Sequence, residues 1–215
     1  MSRRQVVSSF NALLAPFVAG VNARCFERRL VGDFEGIAAA LAARADAEDG
    51  VLVVDEGTLR ALRGVDERAV KVVLDDAARL SELGREPQLN VITRYPRDAR
   101  GLPVSVDVHS FHVDRAPVEA DTFLCTYAGA SSEGLDNDDA VRLIDVPQVA
   151  DALRSFDLTE EHFDLHYRMK AGAAPYAFGL GNLWRLACDW PGSPVPPCIH
   201  RAPPPDARPR LLLIA

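Results

Sequence analysis

No uninterrupted apolar run in the sequence approaches the ~20 residues needed to span a bilayer, which argues against a transmembrane protein. Basic residues are in deficit: 24 Lys and Arg stand against 31 Asp and Glu, a formal net charge of −7. A nucleic-acid backbone is therefore a poor partner, because binding phosphates needs a basic face. No CxxC occurs among the four cysteines, Cys25, Cys125, Cys188 and Cys198. They lie far apart in a chain rich in core formers, so free thiols in a reducing cytoplasm are expected rather than a disulfide framework. Internal repeats are missing. An export signal is not expected either. Arg3 and Arg4 precede a mildly apolar stretch, 6–23, but Ser8, Ser9, Asn11 and Pro16 break it, so it reads as a surface segment packed on the domain.

What remains suffices for a core. The 215 residues are 48% hydrophobic and 26% charged, which fits one folded domain, 1–215. Its first half reads helical. Over 34–47, apolar residues at Phe34, Ile37, Ala38, Leu41 and Ala42 share one helix face, with Asp33 as N-cap. A short apolar run at 51–54 reads as a strand. The segment 66–83 carries a stripe of Val70, Val73, Leu74, Ala77 and Leu80, with Gly84 just past its end.

The character changes after Pro87. Residues 89–95 are β-rich, and Val104, Val106 and Val108 alternate with Ser105, Asp107 and His109, the period of a strand. Further strands are expected at 123–127, 142–144, 181–186, 198–201 and 210–214, with Pro-rich loops between the later ones. A helical insertion is expected near 147–170, starting at Pro147. Helices first and many short strands after them indicate an α+β fold. Residues 1–85 would be a helical buttress outside a β core at 87–215. The regular strand–helix alternation of a doubly wound sheet is missing.

Three features of the β half belong together. His112 and Asp114 stand two apart in Phe111-His112-Val113-Asp114, so a strand would aim an imidazole and a carboxylate at one point. His200, on a later strand, would complete two histidines and one carboxylate, a facial set that suits non-haem Fe(II) and leaves positions open. Arg210 follows ten residues after His200, and its guanidinium could clamp a carboxylate. Arg208 has the same strand parity and is its rival. Arg201, adjacent to His200, should point away from the metal.

These residues resemble the Fe(II)/2-oxoglutarate-dependent oxygenases, whose signature is H-x-D, a distal His and an Arg about ten residues on. Here they are His112, Asp114, His200 and Arg210, and the likeness covers roughly 89–214. Gly181-Asn182-Leu183-Trp184-Arg185-Leu186 stands where the family often carries a Gly-led apolar strand. The segments around 111–127 and 200–204 also resemble an uncharacterised bacterial family of similar length. The resemblance implies a double-stranded β-helix of the jelly-roll or cupin-like kind. It implies Fe(II) on His112, Asp114 and His200, which are then the catalytic residues, with 2-oxoglutarate as cosubstrate and O2 as oxidant. Arg210 would bind the far carboxylate, and Tyr95, Thr126 and Tyr127 are placed to touch the cosubstrate. A carboxylate at Asp114 implies hydroxylation of a C–H bond rather than halogenation. The expected substrate is a small molecule, such as an amino acid or a natural-product intermediate, in a cytoplasmic enzyme without nucleic-acid or membrane partners. The alternatives are a cupin-like metalloenzyme that does not use 2-oxoglutarate and a non-catalytic β-barrel binding module.

Other polar residues receive plainer readings. Arg94 is a candidate for an anionic substrate. His109 has the opposite parity to His112 and reads as structural. His162 and His166, four apart on the expected helix, lack HExxH and read as a solvated helix face. The acidic stretch 133–139 reads as a solvated loop. Cys188, Cys198 and His200 match no common zinc spacing. The insertion at 147–170 would serve as a lid.

Overall fold

The computed structural model describes residues 3–18, 20–154 and 163–215. Strand β1 (Arg4–Val7) leads to a short helix α1 (Phe10–Leu13) and strand β2 (Ala23–Phe26). Helix α2 (Phe34–Ala47), strand β3 (Val51–Val54), helices α3 (Glu56–Ala61) and α4 (Glu67–Glu82), and strand β4 (Gln88–Ile92) follow. The rest is mostly β. It comprises β5 (Phe111–His112), β6 (Asp121–Ala128), β7 (Glu133–Leu135), β8 (Ala140–Arg142), helix α5 (Pro147–Leu153), β9 (His166–Met169), β10 (Tyr176–Ala177), β11 (Leu183–Ala187), β12 (Ile199–Arg201) and β13 (Arg210–Ile214).

The helices begin where short acidic side chains satisfy the amides that a helix start leaves unpaired. Asp33 accepts from the Gly36 amide at 2.8 Å, and Asp66 accepts from the Arg68 amide at 2.9 Å. Helix α4 ends as expected at Gly84, whose φ of 73° is costly for residues with a Cβ. Among the described residues no helix is long and apolar enough to cross a membrane.

The fold is mixed α+β with two sheets. The larger has the order β1-β2-β11-β6-β13-β4-β3, and the smaller β10-β7-β12-β5-β9-β8. Alternation along each strand sorts the core into layers. Phe123, Cys125, Tyr127, Leu211 and Leu213 face α2 and α4. Leu124, Leu212, Trp184 and Ile92 face inward, with Phe178 and Cys198. Strand β13 pairs with β6 through a register shift: Leu211 stands opposite Ala128, but Leu212 stands opposite Thr126. Tyr127 is thus the extra residue of a bulge.

Several expectations need correction. Residues 1–85 are not purely a helical buttress, since β1, β2 and β3 join the larger sheet. Residues 104–108 form no strand, because carboxylates take up the backbone amides there. Asp98 accepts from Val106, and Asp107 accepts from Asp98 and His109, so no ladder forms. The strand expected at 142–144 lies earlier, at β8, and a 3-10 turn (Leu143–Asp145) replaces it. The helix expected across 147–170 stops at Leu153. Residues 155–162 lie outside the described residues, and β9 then joins the smaller sheet beside β5. The acidic stretch 133–139 is not a solvated loop throughout, since it opens as β7, with Gly134 and Leu135 buried.

Candidate metal centre

His200 on β12 stands directly opposite His112 on β5. Directly opposed residues share a face of the sheet, and the two ring centres are 4.7 Å apart. Asp114, just past β5, turns to the same point: its Oδ2 lies 3.7 Å from His200 Nε2. One ligand atom from each of His112, Asp114 and His200 lies within 4.8 Å of the others. No other group of three His, Cys, Asp or Glu side chains among the described residues is gathered in this way.

Neighbouring groups orient these donors. His112 Nδ1 faces the Ser110 carbonyl at 2.8 Å, and His200 Nδ1 faces the Cys198 carbonyl at 3.3 Å. A proton on each Nδ1, given to its carbonyl, leaves each Nε2 lone pair for a metal. The Thr122 hydroxyl, near the start of β6, donates to Asp114 Oδ2. Burial holds the His112 imidazole down at about 4, and the neighbouring His200 adds to the effect. Burial pushes the Asp114 carboxyl up, but His200, the Thr122 hydrogen bond and His112 together outweigh it and leave it low. At neutral pH His112 is therefore neutral and Asp114 ionised, the states in which both bind metals.

The inner face of β6 leads from this cluster to a second site. Thr122 touches Asp114, and Thr126 touches Arg210. They stand four residue steps apart along the strand, about 13 Å. Arg210 is 4% exposed. Its Nη1 donates to the Tyr95 hydroxyl at 2.7 Å, and its Nη2 donates to the hydroxyls of Thr126 at 3.0 Å and Ser132 at 2.6 Å. Its Nε has no partner, and no carboxylate among the described residues pairs with it. Burial therefore lowers its pKa. Gly129 lets the chain return to it: a Cβ there would stand 2.9 Å from the Arg210 Cα and the Pro209 carbonyl, at a φ of 76°. A cavity of about 300 Å³ opens at this end, lined by Arg210, Tyr95, His109, Arg97 and Pro203–Pro205.

The structure brings together His112, Asp114 and His200, and separately Arg210, Tyr95 and Thr126. Tyr127 is a correction: it points to the helix side, donates to Asp76 at 2.7 Å and stacks on Phe34. Adjacent residues on a strand face opposite ways, so Thr126 and Tyr127 could not both line the interior. Arg208 is exposed and paired with Asp206 and Glu35. Arg94 is exposed beside Asp46 and Asp49. Arg201 points away from the cluster, onto Glu133 and the Phe111 ring. His109, expected to be structural, turns Nδ1 to the Pro203 carbonyl and also lines the cavity beside Arg210. His162 lies outside the described residues, and His166 is buried on β9, not on a solvated helix face. Sequence reasoning missed three polar residues, among them Thr122, whose hydroxyl donates to Asp114. Ser132 follows a turn with no motif of its own. His166 carries a signal, its spacing from His162, but that spacing suits a helix face and the residue lies on a strand.

The chain matches no known protein-family profile, no curated protein and no solved structure.

Proposed function

We propose that this chain is an Fe(II)- and 2-oxoglutarate-dependent oxygenase that hydroxylates a C–H bond of a small molecule, on a double-stranded β-helix. The strand order supports the fold. Without β1–β3, β8 and β9, eight strands remain, four in each sheet, in the orders β11-β6-β13-β4 and β10-β7-β12-β5. Every neighbouring pair among them is antiparallel, and the chain passes between the sheets as a jelly roll requires.

The donor set fits a divalent metal with open positions: two imidazole nitrogens and one carboxylate, with the orienting partners in place. Bound Fe(II) would supply oxygen activation, coupled to decarboxylation of 2-oxoglutarate to succinate. The chain's own residues do the rest. His112, Asp114 and His200 hold the metal, and Thr122 keeps the Asp114 carboxylate turned toward it. Arg210 receives the far carboxylate of the cosubstrate, and the hydroxyls of Tyr95, Thr126 and Ser132 can turn their protons to the same group. The apolar side chains of the inner layer exclude water between the two ends.

One observation carries this reading: the buried Arg210 has only neutral partners, and the strand face that holds it also holds the contact to Asp114. A buried cation without a counter-ion is unfavourable unless a ligand supplies one. The test is anaerobic addition of Fe(II) and then 2-oxoglutarate, followed by visible absorption. A metal-to-ligand charge-transfer band that needs both components, and is lost in His200→Ala, is expected. Iron binding without any response to 2-oxoglutarate would favour the cupin-like alternative, and no metal uptake would favour a binding module.

A further inference from the structure

The cavity at the Arg210 end has walls of its own. They are mostly apolar, with Ile92, Ala130, Tyr95 and Pro203–Pro205 among them. The His109 ring stands edge-on to that of Tyr95, 5.5 Å from centre to centre. None of His112, Asp114, His200, Thr122, Thr126 and Ser132 lines it. The cavity is therefore separate from the path along β6 to the cluster, and it meets Arg210 on the side of Tyr95. At about 300 Å³ it reaches the size at which small-molecule sites begin. Apolar walls with a few converging polar groups are the usual make-up of such sites.

Among the described residues, four arginines line this cavity against one carboxylate, Asp206. Three of the four already face carboxylates. Arg94 faces Asp46 and Asp49, Arg97 faces Asp107, and Arg208 faces Asp206 and Glu35. Arg210 is the buried one, and it meets only hydroxyls. The Tyr95 hydroxyl accepts from Arg210 Nη1 at 2.7 Å and so keeps its own proton to give. A carboxylate entering here would meet a buried cation and a hydroxyl donor together. A dianion such as a phosphate ester would carry more charge than one uncompensated cation balances. An ion without apolar surface would leave the walls unfilled.

We propose that this cavity is a second ligand site, for a monocarboxylate with an apolar body of one or two rings. Its carboxylate sits on Arg210 and Tyr95, and its rings fill the space between Ala130 and the prolines. Two carboxylates at one buried cation would repel each other strongly at low dielectric, so this ligand excludes the cosubstrate from Arg210 and regulates the site. The ligand site itself needs no metal. Only the exclusion rests on the function proposed above.

The test is calorimetry of the metal-free full chain with three probes: 2-naphthoate, its uncharged amide, and acetate, which has the charge without the rings. Naphthoate should bind roughly tenfold tighter or more than either comparison compound. Its affinity should fall by a similar factor in Arg210→Met, and in Ala130→Phe, which fills the cavity and keeps the guanidinium. The amide and acetate arms use wild type, so they decide the matter even where Ala130→Phe fails to fold. In the Fe(II)-loaded protein under anaerobic conditions, saturating naphthoate should raise the apparent 2-oxoglutarate constant roughly tenfold or more, read from the charge-transfer band. Ala130→Phe alone should leave that constant nearly unchanged. Failure of wild type to bind naphthoate overturns the site, as do equal binding of the amide and undiminished binding in Arg210→Met. A large loss of 2-oxoglutarate affinity in Ala130→Phe would make the cavity part of the cosubstrate site and overturns a second ligand there. A charge-transfer band indifferent to naphthoate overturns the exclusion. Absence of that band in wild type overturns the oxygenase reading and the exclusion with it, while naphthoate binding to the metal-free chain still upholds the ligand site.

Discussion

Two arginines lie on opposite faces of the larger sheet, Arg28 largely and Arg210 fully withdrawn from solvent, and their charges are met in different ways. On the helix side, Arg28 grips Asp76 with both Nη atoms, at 2.7 and 2.5 Å, and Tyr127 adds a donor to the same carboxylate. Burial alone would lower the Arg28 pKa, but Asp76 more than reverses it. On the inner side, Arg210 meets only three hydroxyls, and its pKa stays lowered. The first arrangement is closed: charge and counter-charge both belong to the chain. The second is open on one side of its charge balance. Burial by itself does not mark a functional arginine, because Arg24 is also buried, at 5% exposed. Nor does a missing counter-ion alone, since Arg24 donates only to the Ala12 and Pro16 carbonyls; Arg210 adds a place at the edge of a cavity.

Removing Asp76 is the strongest way to break this comparison. Asp76→Ala leaves Arg28 buried and unpaired, and should cost about 3–5 kcal/mol of unfolding free energy in a urea titration. A loss below about 1 kcal/mol would mean that Arg28 escapes to solvent and that the two sites are not alike in burial.

Arg210→Met should do the reverse. It removes an uncompensated charge, so stability of the ligand-free protein should hold or rise. Binding of 2-oxoglutarate should weaken by well over tenfold, roughly 2–5 kcal/mol, with the metal retained. Calorimetry of the metal-loaded variant measures the second effect. A variant that binds the cosubstrate normally would remove Arg210 from the site.

Acid probes the metal cluster on the smaller sheet, apart from either arginine. His112 titrates near 6.5 when unfolded and near 4 when folded. Below about 6.5 the unfolded chain takes up a proton that the folded site refuses, so stability falls with pH down to about 4. Above 6.5 this contribution is fully present. Denaturation between pH 7 and 4 should show the loss, and His112→Gln should flatten that part of the curve.

The smallest effects belong to residues near the two arginines in sequence or space. Tyr127→Phe should cost about 1 kcal/mol through the lost bond to Asp76, without touching cosubstrate affinity. Arg208→Ala should change stability by less than about 0.5 kcal/mol and cosubstrate binding by less than twofold. A large cosubstrate effect at Arg208 would move the clamp away from Arg210.

Much of this was legible in the sequence, for reasons that can be named. Helices α2 and α4 announce themselves by period, α2 also by its Asp33 cap and α4 by Gly84 past its end, because these signals are local. The cluster residues were legible because their parity on short strands survives any error in strand length. Strand β2 was not, since its Arg24 reads as polar surface. In the fold that guanidinium is buried and donates to the carbonyls of Ala12 and Pro16. The alternation at 104–108 misled because carboxylates can end a ladder that valines would favour. His166 was hidden because spacing of four suits a helix face, and only the partner strand decides otherwise.

The bulge at Tyr127 makes one stretch of the chain sensitive to its length. A substitution between Thr126 and Ser132 alters a contact. A one-residue deletion would close the bulge into regular pairing and draw the turn at Gly129 out of step with Arg210. Thr126 and Ser132 reach the same guanidinium from the two sides of that turn, so both would lose their aim together. Among descendants of this sequence, variation in this segment should therefore accumulate as changes of residue type, with the count of residues between the two hydroxyls held constant.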